Sequence, residues 1–248
     1  MTNALALLET FSAERPELGV TELSRALGLG KSTVYRLLVS LAARGYVSKN
    51  VQTDCYRLGL KPFEVGSLAV GQLTVREAVA PYLQRLQAAS RETVHLGVLD
   101  EWEVVYIDKI ESRQTLQMYS RIGRRAPIHC TALGKVLLAF QAEEEVERLL
   151  RRRLRAYTAL TLTDPVKLRH ELDRIRITGF AVDNEEFEVG LKCVAAPVRD
   201  HTGGVVASLG IASPAVRLPA ERVAAAAELV RETALAASAA LGSRERRP

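Results

Sequence analysis

Apolar residues recur at helical spacing over 34–41, where Val34, Leu37, Leu38 and Leu41 fall at i, i+3, i+4 and i+7 and form one stripe. At about 100° per residue, Ser32, Tyr35, Arg36 and Val39 point the opposite way. The spacing predicts a helix from Lys31 to about Arg44, stopped by Gly45. Ahead of it, Thr21 is placed as the N-cap of a shorter helix, TELSRALGL, whose Leu23, Ala26 and Leu27 share one side. Gly28 and Gly30 break the chain between the two. YVSK and CYRLG then read as short strands joined by the polar NVQTD. A helix, a glycine turn, a second helix and a hairpin make a winged helix-turn-helix.

Further along, 61–90 reads as two helices with a break near Pro81, and FEVGSLAVGQL is apolar enough to need a partner. From Thr93 the period becomes strand-like through TVHLGVLD, EVVYIDKI and TLQMYSR. A helix opens at Thr131 (TALGKVLLAF), and EEEVERLLRRR follows with acids first and bases last, as a helix dipole favours. Asp164 and Pro165 start another helix that Gly179 ends. KCVAAPVRD and VVASLGIAS are strands around the turn HTGG. A last helix runs from about Ala220 to Leu241, with Glu221, Glu228 and Glu232 on one stripe and a frayed tail after it. The fold class is therefore α+β. Its 248 residues fit two domains. These are a winged helix-turn-helix over 1–60 and an antiparallel sheet flanked by helices over 79–248, joined by a linker helix over 61–78.

Charge sharpens this picture. Between Leu23 and Thr53 the chain carries Arg25, Lys31, Arg36, Arg44 and Lys49 and no acid, while the net charge of the whole is only +5. Phosphates attract such a surface through counterion release, and short hydrogen-bonding side chains on the same helix reach base edges in a major groove. The candidate DNA-contacting residues are Thr21, Lys31, Ser32, Thr33, Tyr35, Arg36 and Ser40, with Lys49 and Arg57 from the hairpin. An ordinary helical hairpin with a solvated basic face is the competing reading. Cys55, Cys130 and Cys193 are sparse and odd in number, which fits reduced thiols better than disulfides. No apolar run approaches the roughly 18–20 residues that span a bilayer. The opening MTNALALLETF lacks the pattern of a secretory signal, so a cytoplasmic protein is expected.

These residues together resemble the IclR family of bacterial transcription regulators. The likeness rests on ALALLETF, TELSRALGLGKSTVYRLLVSLAARGYV, YRLGLKPFEVGSLA, RIGRRAPIHCTALGKVLLAF and GFAVDNEEFEVGLKCVAAPVRD. The last segment keeps the family's spacing of Gly179, Asp183, Glu186, Cys193 and Ala195. It departs at Arg199, where an aromatic residue or His usually stands. MYSRIGRRAPIHCTALGKVL leans toward regulators of sugar-acid (2-keto-3-deoxygluconate) genes. The resemblance implies a C-terminal GAF-like α/β effector-binding domain. It also implies a double-stranded DNA operator and a small-molecule effector as partners, and assembly into homodimers and homotetramers.

Thr131 at a helix N-cap exposes backbone N–H groups that form an anion seat. Together with the positions that the resemblance carries over, the candidate effector residues are His129, Thr131, Ala132, Leu133, Asp183, Cys193, Gly210 and Ala212. Gly210 and Ala212 stand where relatives that take small keto acids often carry serines. No cofactor and no metal is expected, because His95, His129, Cys130, His170, Cys193 and His201 lack ligand spacing. An enzymatic or small-molecule-binding domain with a merely structural basic head is the alternative, with Cys130 or Cys193 as nucleophile; neither has a signature context.

Overall fold

A computed structural model of the chain describes residues 2–12, 14–71, 74–112 and 121–243. It divides into two compact units, Met1–Leu73 and Thr74–Pro248.

The first unit runs α1 (Thr2–Glu9), β1 (Glu17–Leu18), α2 (Val20–Leu27), α3 (Lys31–Ala42), β2 (Val47–Lys49), β3 (Tyr56–Leu58) and α4 (Lys61–Gly71). The strands pair antiparallel in the order β1-β3-β2. Leu7, Phe11, Leu18, Leu23, Val34, Leu38, Val47 and Tyr56 form its core, with Leu27, Leu37 and Leu41 packed against it. Two expectations are corrected. Thr21 lies inside α2 and does not cap it. The cap is Gly19, whose N–H donates to Glu22 Oε2 at 2.8 Å, so the glutamate takes over the capping role. Ala26 is exposed, one step off the Leu23–Leu27 stripe. Gly28 closes α2 at φ +65°, a conformation that L side chains rarely adopt.

The second unit runs α5 (Thr74–Ser90), β4 (Thr93–Asp100), β5 (Glu103–Ile110), β6 (Arg125–Pro127), α6 (Ala132–Ala139), α7 (Glu143–Leu150), α8 (Pro165–Thr178), β7 (Ala181–Asn184), β8 (Leu191–Arg199), β9 (Val205–Pro214) and α9 (Ala220–Ala240). Its antiparallel sheet has the order β6-β5-β4-β9-β8-β7. Strand alternation sends Cys193, Ala195 and Ala212 into one core with α6 and α8. Ile211, between them in register, faces Ala89 of α5 and Leu229 of α9. Helices thus cover both faces of the sheet.

Pro81 does not divide the helices: it lies inside α5. A proline there forfeits one backbone hydrogen bond, but Val79, Leu83 and Leu86 are fully buried on one stripe and hold the helix against the sheet. The strand expected over TLQMYSR falls on 113–120, outside the described residues, as does the tail 244–248. Among the described residues no helix is long and apolar enough to cross a membrane.

Residues 128–134 are tightly wound. Thr131 Oγ1 accepts from the Gly134 N–H at 3.1 Å and donates to the Pro127 carbonyl at 2.7 Å. A Cβ on Gly134 would stand 2.4 Å from the Ile128 carbonyl oxygen, a backbone atom that cannot step aside. Gly134→Ala is therefore expected to destabilise the second unit by about 1–3 kcal/mol, the usual cost of overpacking. The urea midpoint of its unfolding checks this, and an unchanged midpoint would show that the loop yields freely.

Candidate DNA interface and effector pocket

The face of α3 follows from its sequence. Val34 and Leu38 are fully buried, which turns Lys31, Ser32, Thr33, Tyr35, Arg36 and Ser40 outward, Tyr35 at 53% exposure. Among the described residues no carboxylate lies within ion-pair distance of Lys31 or Arg36. Two cations on a solvated helix face without local compensation are what a phosphate backbone would neutralise. Thr21, Lys49 and Arg57 are also exposed on this unit. Three of the expected contacts have local partners. Ser40 Oγ donates to the Arg36 carbonyl at 3.0 Å, Lys49 Nζ pairs with Asp54 at 2.5 Å, and Arg57 Nε donates to Ser48 Oγ at 3.2 Å. The Lys49 and Arg57 partners are themselves solvent-facing, so both cations stay at the surface of the hairpin.

In the second unit, six of the expected effector residues meet around one small cavity of about 40 Å³: Thr131, Ala132 and Leu133 from the start of α6, Asp183 from β7, Cys193 from β8 and Ala212 from β9. Two do not. His129 turns away, its Nε2 lying 3.0 Å from the Arg155 carbonyl oxygen. Gly210 sits inside the sheet between His95 and Ala195, and even a Cβ there would come within 2.4 Å of the Val194 carbonyl oxygen. The missing side chain is a packing requirement of the sheet. His95, Tyr106, Arg124, Phe187, Glu188 and Leu191 complete the lining, and sequence reasoning did not place them there. Strand pairing brings His95, Tyr106 and Leu191 to the cavity, while Arg124, Phe187 and Glu188 reach it from the segments before β6 and after β7. The sequence offers His95 only as a metal ligand; in the structure its ring lies 5.0 Å from that of Tyr106.

Behind the cavity lies a residue with a legible but unused signal, a lysine in the middle of the apolar helix ALGKVLLA. Lys135 is 1% exposed. Its ammonium donates to the Val182 carbonyl at 2.7 Å, pairs closely with Glu186, and reaches Glu171 Oε1 at 3.4 Å. Glu171 is in turn gripped by Arg174 at 2.7 and 2.8 Å. The Glu186 N–H donates to Asp183 Oδ1 at 2.8 Å, while Thr158 and Thr161 hydroxyls donate to the carbonyls of Glu185 and Glu186 at 2.7 and 2.6 Å. The loop after β7 is thus stapled from both sides and carries Asp183 at its root.

Burial sets the protonation states. It pushes the Asp183 carboxyl up to about 7, against the opposing Glu186 N–H. It lowers His95 to about 3, with Lys109 adding to the effect, so that imidazole is neutral. The Cys130 and Cys193 thiols are both raised by burial and by the nearby Asp183. A thiol held protonated is a poor nucleophile. Among the described residues no group of three or more His, Cys, Asp or Glu is placed to hold a metal.

Residues 1–50 match the IclR helix-turn-helix domain, and residues 67–239 match the bacterial transcriptional regulator IclR C-terminal domain. The chain is 44% identical over 212 residues to the HTH-type transcriptional regulator KdgR of Dickeya chrysanthemi, a match that covers 85% of this chain and 69% of that protein. It is 40% identical over 240 residues to the HTH-type transcriptional regulator XynR of Escherichia coli K12, covering 96% and 95% of the two. A crystal structure of an IclR homolog complexed with 4-hydroxybenzoate, from Microbacterium hydrocarbonoxydans, superposes with a TM-score of 0.86 at 27% identity, over 96% of this chain and 97% of that one.

The elevated Asp183 pKa has a sign. The folded state binds this proton more tightly than the unfolded chain, so the contribution is fully present below the ordinary carboxylate value of 3.8 and is lost as pH rises through about 7. Asp183→Asn keeps an acceptor for the Glu186 N–H but cannot ionise. Its stability is expected to fall less than that of the wild type between about pH 4 and 7. Parallel profiles from denaturant titrations across that range would show that the carboxyl ionises at its ordinary pH.

Proposed function

The chain belongs to the IclR family of bacterial transcriptional regulators, and we propose that a small carboxylate bound in the Thr131–Asp183 cavity sets its affinity for a two-fold DNA operator. DNA binding and an effector-binding C-terminal domain are what this membership establishes. The contacts, the ligand class and the assembly are our reading.

The observation that carries this reading is the pairing of an uncompensated basic helix face on one unit with a small, largely apolar cavity on the other, edged by Thr131, Asp183 and Arg124. On the first, Arg36 and Tyr35 are placed to read base edges, and Lys31, Lys49 and Arg57 to contact phosphates. A single small module covers only about 600–1,000 Å² of protein surface, too little for tight specific binding, so two heads act together. Exposed apolar side chains of the first unit, Leu60 and Phe63, offer a seam for a homodimer, from which a homotetramer can be built.

On the second unit, the first turn of α6 directs the Ala132 and Leu133 N–H groups past the helix end, a seat for a carboxylate that the helix dipole favours. Arg124 lines the same cavity and supplies a full positive charge. A carboxyl that titrates near 7 both accepts from and donates to ligand hydroxyls, which suits a sugar acid. A ligand that size needs more than about 40 Å³, so binding widens the cavity, and the displaced α6 or β7 loop is the element that changes the spacing of paired heads. The reading of an enzymatic domain with a structural head is disfavoured by the protonated thiols.

Fluorescence anisotropy with the upstream DNA of the chain's own gene tests this reading. Arg36→Ala is expected to weaken binding to that DNA by about 1–3 kcal/mol while leaving random DNA little changed. Asp183→Ala is expected to keep ligand-free operator affinity and to lose the response to 2-keto-3-deoxygluconate, with keto acids and aromatic acids run alongside. An Arg36→Ala protein with full affinity on both DNAs removes α3 from the interface. A normal ligand response in Asp183→Ala removes the cavity from the mechanism.

A further inference from the structure

The β2–β3 hairpin of the first unit depends on outside support for its shape. Its strands have three residues each, and a two-stranded ribbon of that kind is marginal in water. Yet it carries Lys49 and Arg57, and Tyr35 of the outward α3 face acts electrostatically on the Lys49 ammonium. Hairpin and helix face thus adjoin.

The support comes from an acid. Glu17 stands on the two-residue strand β1, directly opposite Arg57 in register. Opposite charges facing each other across a strand pair attract, yet among the described residues no ion pair joins these two. Arg57 donates to Ser48 Oγ, and Glu17 reaches the turn between β2 and β3. Both of its oxygens accept from Asn50 Nδ2, at 3.0 and 3.2 Å, and Oε2 also accepts from the Thr53 hydroxyl at 3.1 Å. The two contacted residues organise the rest of the turn. Asn50 Oδ1 accepts from the Gln52 N–H at 3.0 Å, and the Asn50 N–H donates to the Cys55 carbonyl at 2.8 Å. Thr53 Oγ1 accepts from the Cys55 N–H at 3.4 Å. One half-buried carboxylate therefore ties both ends of the turn to β1, through bonds that its charge strengthens. On electrostatic grounds alone Glu17 is out of place, because a negative charge beside Arg57 repels the phosphates that Arg57 would meet.

We propose that Glu17 is a positioning residue for DNA binding, which holds the turn 50–53 so that Lys49 and Arg57 meet the phosphate backbone in one fixed arrangement. Phosphate contacts set the register and orientation of a protein on the duplex, so a hairpin free to swing loses affinity even with its charges intact. The inference rests on the reading of the hairpin as a DNA contact and is independent of the effector cavity. It also fixes a sign. As a mere neighbouring charge, Glu17 would weaken DNA binding, and its removal would tighten it. As a positioning residue it does the reverse: its removal weakens binding.

Fluorescence anisotropy of the full-length chain on the upstream DNA of its own gene, over a range of sodium chloride concentrations, tests this. Glu17→Ala is expected to weaken binding about fivefold or more and to lower the slope of log affinity against log salt by about one to two, as lost phosphate contacts do. Glu17→Gln keeps an acceptor for the turn without the charge and is expected to recover most of that loss. Circular dichroism melts confirm that both variants fold. Lys49→Gln/Arg57→Gln checks the underlying reading. If this double variant binds like the wild type, the hairpin is no DNA contact and the proposal falls with that reading. If it weakens binding while Glu17→Ala does not, the positioning role alone is rejected. Equal tightening in Glu17→Ala and Glu17→Gln would leave the carboxylate a mere opposing charge and reject it too. Placed on the double variant, Glu17→Ala is expected to add at most about a twofold loss, because it acts through those two cations. A full fivefold loss there would overturn the assignment.

Discussion

The second unit is organised around the buried ammonium of Lys135. A charge in the middle of an apolar helix is tolerated only with close partners, and Lys135 draws them from three places at once: Glu171 on α8, the Val182 carbonyl on β7 and Glu186 on the loop beyond. Removing one partner of such a cluster commonly costs about 3–5 kcal/mol, because the remaining charges stay buried. Its role here is positional. Fixing Glu186 fixes the N–H that holds Asp183, and α6 carries both Lys135 and the Thr131 cap. The two sides of the Thr131–Asp183 cavity are therefore set by one interaction.

That constraint separates the tasks of the two units. In the first, a modest aliphatic core leaves an outward helix face whose cations have no local counterions, so its free energy of binding depends on salt and on an external polyanion. In the second, the buried ammonium of Lys135 is matched by Glu171 and Glu186, while burial keeps His95 neutral and brings Asp183 to the edge of ionisation. Asp183 is tied to the Lys135 cluster through Glu186, whose N–H donates to it and whose carboxylate the ammonium holds. Such a cavity suits regulation by occupancy better than covalent chemistry.

What could be seen in the sequence was local. The stripe of α3, the Thr131 cap and the Asp164 cap of α8 each depend on residues within a turn of one another, and the structure forms them as read. The two-residue β1 and the three-residue β6 are too short to show a period. Pro81 misled because tertiary packing overrides a local breaker. His95 and Tyr106 reach the cavity only through strand pairing, and Arg124, Phe187 and Glu188 from loops whose path depends on it, and pairing partners cannot be counted along the chain. Family spacing brought Gly210 into the candidate site but could not show that the neighbouring strand leaves no room there. Lys135 was readable as an oddity, yet its partners lie 36 to 51 residues away.

The central claim is that DNA affinity is controlled through a cavity whose geometry Lys135 holds. Lys135→Met keeps the length and apolar bulk of the side chain and removes the charge. Titrating 2-keto-3-deoxygluconate into the complex of this variant with upstream DNA, followed by anisotropy, tests the claim directly. The account predicts operator affinity close to wild type without ligand, because the DNA-reading face lies in the other unit, and a response to ligand that is lost or at least tenfold right-shifted. A wild-type response in a folded Lys135→Met protein would contradict it.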